Sequence, residues 1–566
     1  MSRSRREVWE RRGRRPGQPP RVIIVGAGVS GMAVGSYGQM SGLETRIFEK
    51  HVIAGGCCTG WGRDGWLFDY CIDWLNGTKP GNAANQVWRE LGALDGKSVT
   101  RFEVFNKVVD TDGRSVSFPT DPDRLEAELL ACSPADEKLI RGFCADLRRF
   151  TKLALHPFLT PPPLTPLREK LAMLATVLPA FRLFWRSGGT QMADFTARFS
   201  DPFLAKALRN MFFQDPENFA LIPYHYTMAE AHNGNVGMPQ GGSLGLAKSI
   251  EDRYTALGGR IDFRSRVARV LVEDGRAVGV ELRGGERHYA DHVVAACDAL
   301  STVSTLLGGS HSSPTLDTML TEVMPAPGEL YPALVSVFVG IRGDLPAEES
   351  HSTTYFLSDE DAARLPGSLQ KSLVVHLRSR MIAGIAPPGH SLLMCNYFSD
   401  FDTWKDLRTG DRKAYRARKQ EVAAFVLEYL ERLHPGIGDR VEQVQVSTPA
   451  TTERYTGNAR GAILAWKSPR ADDLIDRMIG KDRLSLPGLR GFHLAGHWVG
   501  GGSLIKAAAS GRFAAQYLCR ELGVPFRAQE STDTRPWGPE RLGELPQLDR
   551  WTEQQVPSGE EARTSS

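Results

Sequence analysis

Residues 22–49 constrain this chain more than any other stretch. An apolar run, Val22 to Val25, leads into Gly26-Ala27-Gly28-Val29-Ser30-Gly31. A small-residue segment with Gly35 and Gly38 follows, and a second apolar run, Thr45 to Phe48, ends on Glu49. Strand, glycine turn, helix, strand and terminal acid compose one dinucleotide-binding βαβ unit. Gly26 suits the tight turn, Gly28 lets the backbone approach a pyrophosphate, and Gly31 lets the helix pack close on the strand. The helix N-terminus offers unpaired N–H groups and a positive dipole end to the phosphates. Glu49 is placed to accept hydrogen bonds from a ribose hydroxyl. Glycine-rich turns also occur in unrelated α/β domains, but here the context is complete from strand to acid.

At 566 residues the chain exceeds one ordinary domain, and two or three are expected. An apolar content of 41% with 24% charged residues is that of a globular protein with a sizeable core. The net charge of +3 is unevenly spread: eight arginines against Glu7 and Glu10 put +6 into residues 1–21, which leaves about −3 for the remainder. A basic tail on a near-neutral body argues against a nucleic-acid-binding domain. The tail either stays solvated, the favoured reading, or touches anionic lipid. No separate apolar segment follows its paired arginines, so a signal peptide is not expected and the cytoplasm is. The eight cysteines form no CxxC or zinc spacing, so free thiols and no metal site are expected.

Composition divides the chain into seven pieces. These are a disordered basic tail (1–20), a nucleotide-binding piece (21–79), a first insert (80–225), a second nucleotide-binding piece (226–300), a second insert (301–485), a third nucleotide-binding piece (486–525) and a disordered tail rich in Pro, Glu, Arg and Ser (526–566). Between Trp66 and Trp74, alternation puts Trp66, Phe68, Tyr70, Ile72 and Trp74 on one face of an expected strand. In the first insert, Leu167, Leu171, Leu174, Leu178, Phe181 and Trp185 recur at helical spacing, with Arg168, Lys170, Arg182 and Arg186 on the polar side. Its longest uncharged run, Leu171 to Phe181, is 11 residues, too short to span a bilayer. A core or lid helix and an interfacial helix that opens a path for a lipid-like substrate both remain open readings. The second insert holds apolar strands at Leu334–Val339, Ser372–Leu377 and Ser391–Asn396 and a polar helix near Arg412–Leu433, a sheet suited to floor a cavity.

The last structured segment, GFHLAGHWVGGGSLIKAAASGR at 491–512, is again strand, glycine turn and helix. A plain NAD dehydrogenase needs no such piece so far from its fingerprint. A flavoprotein does: its final strand meets the ribityl chain, and its final helix turns a positive end toward the flavin pyrimidine edge, where reduced flavin accumulates negative charge. FAD is the expected cofactor. Five blocks, GAGVSGM at 26–32, GGCCTGW…GWLFDYCIDW at 55–74, MPQGGSLGLA at 238–247, TPATTERYTGNARGAILAW at 448–466 and AGHWVGGGSLIKAAASGR at 495–512, carry a resemblance. The chain resembles the carotenoid desaturase/isomerase family of FAD-dependent oxidoreductases, which includes bacterial-type phytoene desaturases, carotenoid isomerases and retinol saturases. The resemblance implies an α/β fold: a Rossmann-like FAD-binding domain assembled from three sequence segments, plus an inserted α+β substrate-binding domain, often with membrane contact. It also implies that Gly26, Gly28, Gly31, Glu49, Gly56, Val267, Gly496 and Leu504 touch FAD, Val267 through a backbone contact to adenine. Many relatives in the wider flavin-oxidase group carry Arg after the paired glycines, where Cys57 and Cys58 stand here. A redox pair is one reading; two small buried thiols filling a tight loop is the favoured one.

Flavin carries the hydride step, so few protein acids or bases are obligatory. Arg63, His225, Glu453 and His497 are the catalytic candidates, each weighed against a satisfied structural hydrogen bond or buried pair. Trp61, Trp66, Tyr70, Trp466 and Trp498 are the candidates for the substrate wall. The expected function is that of an FAD-dependent oxidoreductase or isomerase acting on carbon–carbon bonds of a long apolar polyene or isoprenoid, free or carrier-bound, by desaturation or cis–trans isomerisation. The alternatives are tailoring of a polyene in secondary-metabolite biosynthesis, a flavin amine oxidase, and a non-catalytic lipid or carotenoid binder. Beyond the hydrophobic substrate the expected partner is a peripheral membrane surface, and nucleic acid is not one.

Overall fold

Five parallel strands carry the cofactor half of the molecule, in the order Arg260–Asp262, Glu44–Phe48, Arg21–Val25, His292–Ala295, Phe492–Leu494. The computed structural model describes residues 8–11, 17–153, 159–177, 187, 189–212, 220–318, 320–321, 330–346, 350–465, 484–538, 541 and 543–545. The five strands come from all three nucleotide-binding pieces. Both faces of this sheet are covered: Val22, Ile24 and Ile47 join one core, and Ile23, Val25 and Phe48 join another on the opposite side. That double burial is why these strands read as unbroken apolar runs. The first helix, Val29–Met40, packs against the helices Gly242–Ala256 and Leu504–Leu522. Glycine makes the second crossing close, since a Cβ on Gly511 would lie 2.4 Å from the Ser30 carbonyl oxygen. Three antiparallel strands, Val267–Glu273, Arg276–Leu282 and Arg287–Tyr289, form a small side sheet.

The two inserts build one sheet. Its seven strands run Val441–Ser447, Ala333–Arg342, His390–Ser399, Ser372–Leu377, Ser352–Phe356, Val104–Val109, Ser115–Pro119, with only the Ser352–Phe356/Val104–Val109 pair parallel. Side-chain alternation gives it two different faces. Val335, Val337, Val339 and Ile341 pack under the helix Arg412–Leu433 through Val422, Phe425, Val426 and Leu430. Asp411 caps that helix, accepting from the amides of Lys413 and Ala414. The other face turns Leu334, Val374, Asn396 and Phe398 toward a cavity.

Three sequence expectations change. The stretch Trp66–Trp74 is not one strand. Its ladder with Gly60–Arg63 ends at Asp69, whose carboxylate accepts from the Ser243 amide (2.6 Å) and hydroxyl (3.1 Å) at the start of the helix Gly242–Ala256. The N-terminal tail is not wholly disordered. Trp9 is buried, its amide donates to His288 Nδ1 at 3.2 Å, and the Arg21 and Arg46 guanidiniums lie over its ring at 4.8 and 5.7 Å. In the C-terminal tail, Trp537 is buried against Gly241 and Gly245 with the Lys97 ammonium 3.9 Å from its ring centre. One buried tryptophan anchors each polar segment, a feature that averaged composition hides.

The helix Leu167–Val177 forms as its spacing suggested, yet Leu167 is 72% and Leu171 57% exposed. The Leu174 side chain and residues Leu178, Phe181, Arg182, Trp185, Arg186 and Trp466 lie outside the described residues. No helix among the described residues is long and apolar enough to cross a membrane.

Candidate functional site

A cleft opens at the carboxyl ends of the parallel strands, where Val25, Phe48 and Ala296 line it. It encloses about 1420 Å³, the open space at its mouth included. Gly26, Gly28, Glu49, Gly56, Val267, Gly496 and Leu504 all line this cleft, and Gly31 lies beneath it. The three fingerprint glycines answer three different constraints. Gly26 has φ +104°, where side chains are strained, and a Cβ there would sit 2.9 Å from the Ala296 carbonyl oxygen. A Cβ on Gly31 would lie 2.0 Å from the Gly26 carbonyl oxygen. Gly28 has an ordinary φ of −69°, and a Cβ there would meet no protein atom within 4 Å, so it would fill only the cleft. The helix beginning at Val29 has no side-chain cap and no acid in its first turn, which leaves its N-terminal amides for an anion.

The second glycine loop closes on the first. The Gly55 amide donates to the Ala27 carbonyl at 2.8 Å, and Gly28 and Gly55 form a parallel bridge. Gly56, at φ +62°, approaches so closely that a Cβ would lie 3.2 Å from Gly28 Cα. This cradle of bare backbone fits an extended dinucleotide pyrophosphate. Glu49 is buried beside it. Its Oε2 accepts from the Ala27 amide and its Oε1 from the His51 amide, both at 2.7 Å. Burial pushes this carboxyl up, and the two amides partly hold it down. Each oxygen keeps a lone pair for a ribose hydroxyl.

At the far end the Gly496 amide donates to Ser510 Oγ at 2.8 Å, and Ser503 caps the last helix by accepting from the Lys506 amide. Asn458, which sequence reasoning missed, ties the walls together. Its Nδ2 donates to Cys57 Sγ (2.7 Å) and the Ala462 carbonyl (3.1 Å), and its Oδ1 accepts from Trp498 Nε1 (3.4 Å). The signal was its place in the RYTGN block, beside the more conspicuous charges of Glu453 and Arg454. Lys50 was missed too. It lines the cleft, and burial holds its ammonium below the usual range while Glu49 pulls it back up. Burial pushes the Cys57 thiol up to about 12, so it stays neutral, and the Cys58 thiol donates to the Ser243 carbonyl at 3.2 Å. Both behave as loop-filling thiols.

Of the catalytic candidates only His497 lines the cleft. Burial brings its imidazole down to about 4, and its Nε2 is buried without a hydrogen-bond partner among the described residues. Arg63 donates to Gln445 Oε1 at 3.2 Å, and Glu453 pairs with Lys405 at 2.5 Å. His225 is buried against Phe143 and Phe150 with its ring nitrogens 3.1 Å from the Leu221 and Phe143 carbonyls. These three line neither this cleft nor the neighbouring cavity. Trp498 lines the cleft. Trp61 packs on Phe68 and Phe338, Trp66 on Gly340 and His390, and the Tyr70 hydroxyl meets Thr452 Oγ1 at 2.6 Å. Those three rings therefore join the core between the two halves, not a cavity wall.

A second, smaller cavity, about 600 Å³ with the open space at its mouth included, lies over the insert sheet, walled by Trp74, Phe212, Tyr331, Leu334, Val374 and Phe398 among others. It abuts the glycine turn through Leu464, to whose Cβ a Cβ on Gly502 would come within 3.3 Å. Asp73 is the sole carboxylate among the described residues lining it. The fully buried Arg378 pairs with Asp73 at 3.1 Å and Asp69 at 3.6 Å, and donates to the Ile72 carbonyl at 2.7 Å. His376, beside Asp73 at 4.0 Å, meets Ser352 Oγ at 2.6 Å. Burial, with Arg378 adding to it, holds this imidazole well below its usual range. Sequence reasoning did not bring Asp73, His376 and Arg378 together.

A family model described as flavin containing amine oxidoreductase matches residues 29–519. The chain belongs to that family. Its cofactor is FAD, and the cleft described above fits that group. This flavoprotein is 23% identical over 472 residues to the chloroplastic prolycopene isomerase of Arabidopsis thaliana, covering 78% of this chain and 73% of the relative. It is 23% identical over 475 residues to the all-trans-retinol 13,14-reductase of Danio rerio (78% and 77%). To the lycopene-forming phytoene desaturase of a Paracoccus species it is 26% identical over 299 residues (51% and 56%). Among solved structures, an engineered putrescine oxidase superposes with a TM-score of 0.58 at 15% identity, over 89% of this chain and 99% of the other. An oxidoreductase from Methanosarcina mazei does so at 0.53 and 18%, over 88% and 100%. At such identities these structures establish the fold and not the substrate.

Proposed function

We propose that this flavoprotein acts on carbon–carbon bonds of a long apolar polyene or isoprenoid, by desaturation or cis–trans isomerisation. The observation that carries the reading is the second cavity: mostly apolar, abutting the glycine turn at the end of the cofactor cleft, with the one carboxylate that lines it among the described residues already paired to Arg378. An ammonium would find no free carboxylate there, which favours a neutral hydrocarbon over an amine. The names of the relatives, a prolycopene isomerase, a retinol reductase and a phytoene desaturase, support the same substrate class.

Bound FAD supplies hydride transfer. The chain binds and orients. Gly26, Gly28 and Gly56 let backbone approach the pyrophosphate, Glu49 takes a ribose hydroxyl, and Val267 meets adenine through its backbone. Gly496 and Leu504 hold the flavin end, while Gly31 sets the helix against the strand. His497, neutral through the physiological range, and Trp498 wall that end. In this reading 21–79, 226–300 and 486–525 form the FAD-binding domain, and 80–225 with 301–485 form the substrate domain. The exposed Leu167 and Leu171, flanked by Arg168 and Lys170, support a peripheral membrane contact through which an apolar substrate enters.

The test is turnover. The FAD-loaded protein is incubated with long polyenes, with reduced or oxidised flavin and an electron acceptor, and products are separated by chromatography. Loss of two hydrogens marks desaturation, and a shifted isomer of unchanged mass marks isomerisation. Oxidation of amines with no action on any polyene would overturn the reading.

A further inference from the structure

At the amino ends of the parallel strands, away from the cofactor cleft, two histidines and a glutamate converge. His292 opens its strand, and His493 lies on the adjacent strand, opposite Val294. Both point to one face of the sheet, where their rings lie 6.1 Å apart with 8° between planes. Glu521, in the last turn of the helix Leu504–Leu522, reaches both: Oε2 is 3.0 Å from His292 Nε2 and Oε1 is 3.3 Å from His493 Nε2. One ligand atom from each residue lies within 4.8 Å of the other two. His493 is 1% exposed; its Nε2 faces Glu521, while its Nδ1, like that of His292, is buried without a hydrogen-bond partner among the described residues.

We propose that His292, His493 and Glu521 bind a divalent transition-metal ion of the Zn²⁺ class, at a site separate from the flavin. Two imidazoles and a carboxylate are the nitrogen and oxygen donors such an ion takes. The convergence of three donor atoms, two of them on buried imidazoles from adjacent strands, is what an ion would exploit. Glu521 keeps 39% of its side chain exposed, which supplies an entry path and room for a water as fourth ligand. The negative end of the helix dipole adds to the attraction for a cation. The site is structural: it clamps one end of a helix whose other end, about 25 Å away along its axis, lines the cofactor cleft at Leu504. The ligands come from three distant stretches, which is why no motif announced them.

The experiment uses the FAD-loaded full chain, stripped with a chelator and equilibrated with Zn²⁺ alone. The wild type retains one zinc per chain more than the His292→Gln/His493→Gln double variant, which controls for binding by cysteines. Zn²⁺ raises the temperature of flavin release in the wild type and not in that variant. Glu521→Gln weakens zinc binding at least about tenfold, no less than loss of an outer-shell partner does. Equal zinc retention by wild type and a double variant whose flavin spectrum shows it folded would overturn the proposal. Should the double variant not hold flavin, Glu521→Gln decides instead, and unchanged zinc affinity in it overturns the site.

Discussion

The Gly55 amide and the Ala27 carbonyl meet at 2.8 Å, and that hydrogen bond fixes two glycine loops edge to edge. With the loops fixed, the one open side of Gly28 is the cleft itself. Gly28→Val is therefore expected to fold, with at most about 1 kcal/mol lost at the helix N-cap, and to lose about 1–3 kcal/mol or more of FAD binding through overlap with the ligand. Gly31→Ala should do the reverse. Its Cβ collides with the Gly26 carbonyl, so about 1–3 kcal/mol of stability is lost whether or not FAD is present. Urea melts of both apoproteins, with FAD titrations, check the pair; a Gly28→Val protein that binds FAD normally sinks the cradle.

Asp69 should make stability depend on pH in an unusual direction. Burial pushes its carboxyl up to about 6, against the pull of Arg378 and two hydrogen bonds from Ser243. Unfolded, it titrates near about 4. Between those values the folded state holds more proton than the unfolded one. Its contribution is thus fully present below about pH 4 and declines as pH rises to about 6. Relative to Asp69→Asn, the wild type should lose up to about 3 kcal/mol across that window and show no further change above it. A pH-independent difference in urea midpoints would contradict this.

Arg378 neutralises two buried carboxylates at once. Arg378→Met is expected to cost about 3–5 kcal/mol, most of it the burden of leaving Asp69 and Asp73 unpaired. Adding Asp73→Asn to Arg378→Met should recover part of that loss. A double-mutant cycle showing no coupling would mean that the pair contributes nothing beyond its separate parts.

His225 should matter for folding and not for turnover. Its ring fills the space between Phe143 and Phe150 and faces two backbone carbonyls. His225→Gln is expected to lower stability by about 1–3 kcal/mol while leaving kcat per bound flavin unchanged. A large fall in kcat at full flavin loading would restore it as a catalytic candidate.

Leu167 and Leu171 are a turn apart and face outward. Replacing both with Glu removes about 1.5–3 kcal/mol of apolar burial per leucine from any membrane-bound state. Co-sedimentation with anionic vesicles should fall sharply, and flavin content should not. Equal vesicle binding by wild type and variant would place the contact elsewhere.

How much of this was legible follows from the range of the interactions. The run from Val22 to Glu49 could be read because its glycines, helix start and acid act within a few turns of one another. The same holds for the strands and helix of the second insert, whose periodicity is local. Asn458 was not legible: a neutral amide gains its role only because Cys57 and Trp498, far off in sequence, arrive beside it. Trp61, Trp66 and Tyr70 were recognisable as an aromatic cluster, but alternation does not say which layer a face meets, and these rings meet protein. Trp537 lay unnoticed in a segment whose average polarity suggests solvent. Arg378, Asp69 and Asp73 each look like surface charges until the fold encloses them together.

The order in which the cofactor strands appear along the chain has a consequence for biosynthesis. Residues 21–48 leave the ribosome early, but the last strand of their sheet, Phe492–Leu494, and the helix Leu504–Leu522 that packs on their first helix come almost at the end. Until then the nascent chain lacks the strand and helix that cover part of its first apolar unit, the kind of exposed surface on which aggregation begins. The cofactor cleft is lined from both ends of the described chain, Val25 to Thr59 on one side and Gly496 to Ala507 on the other. On the proposed reading, a chain released before Gly496 would lack one of the two ends of the cleft that hold the flavin.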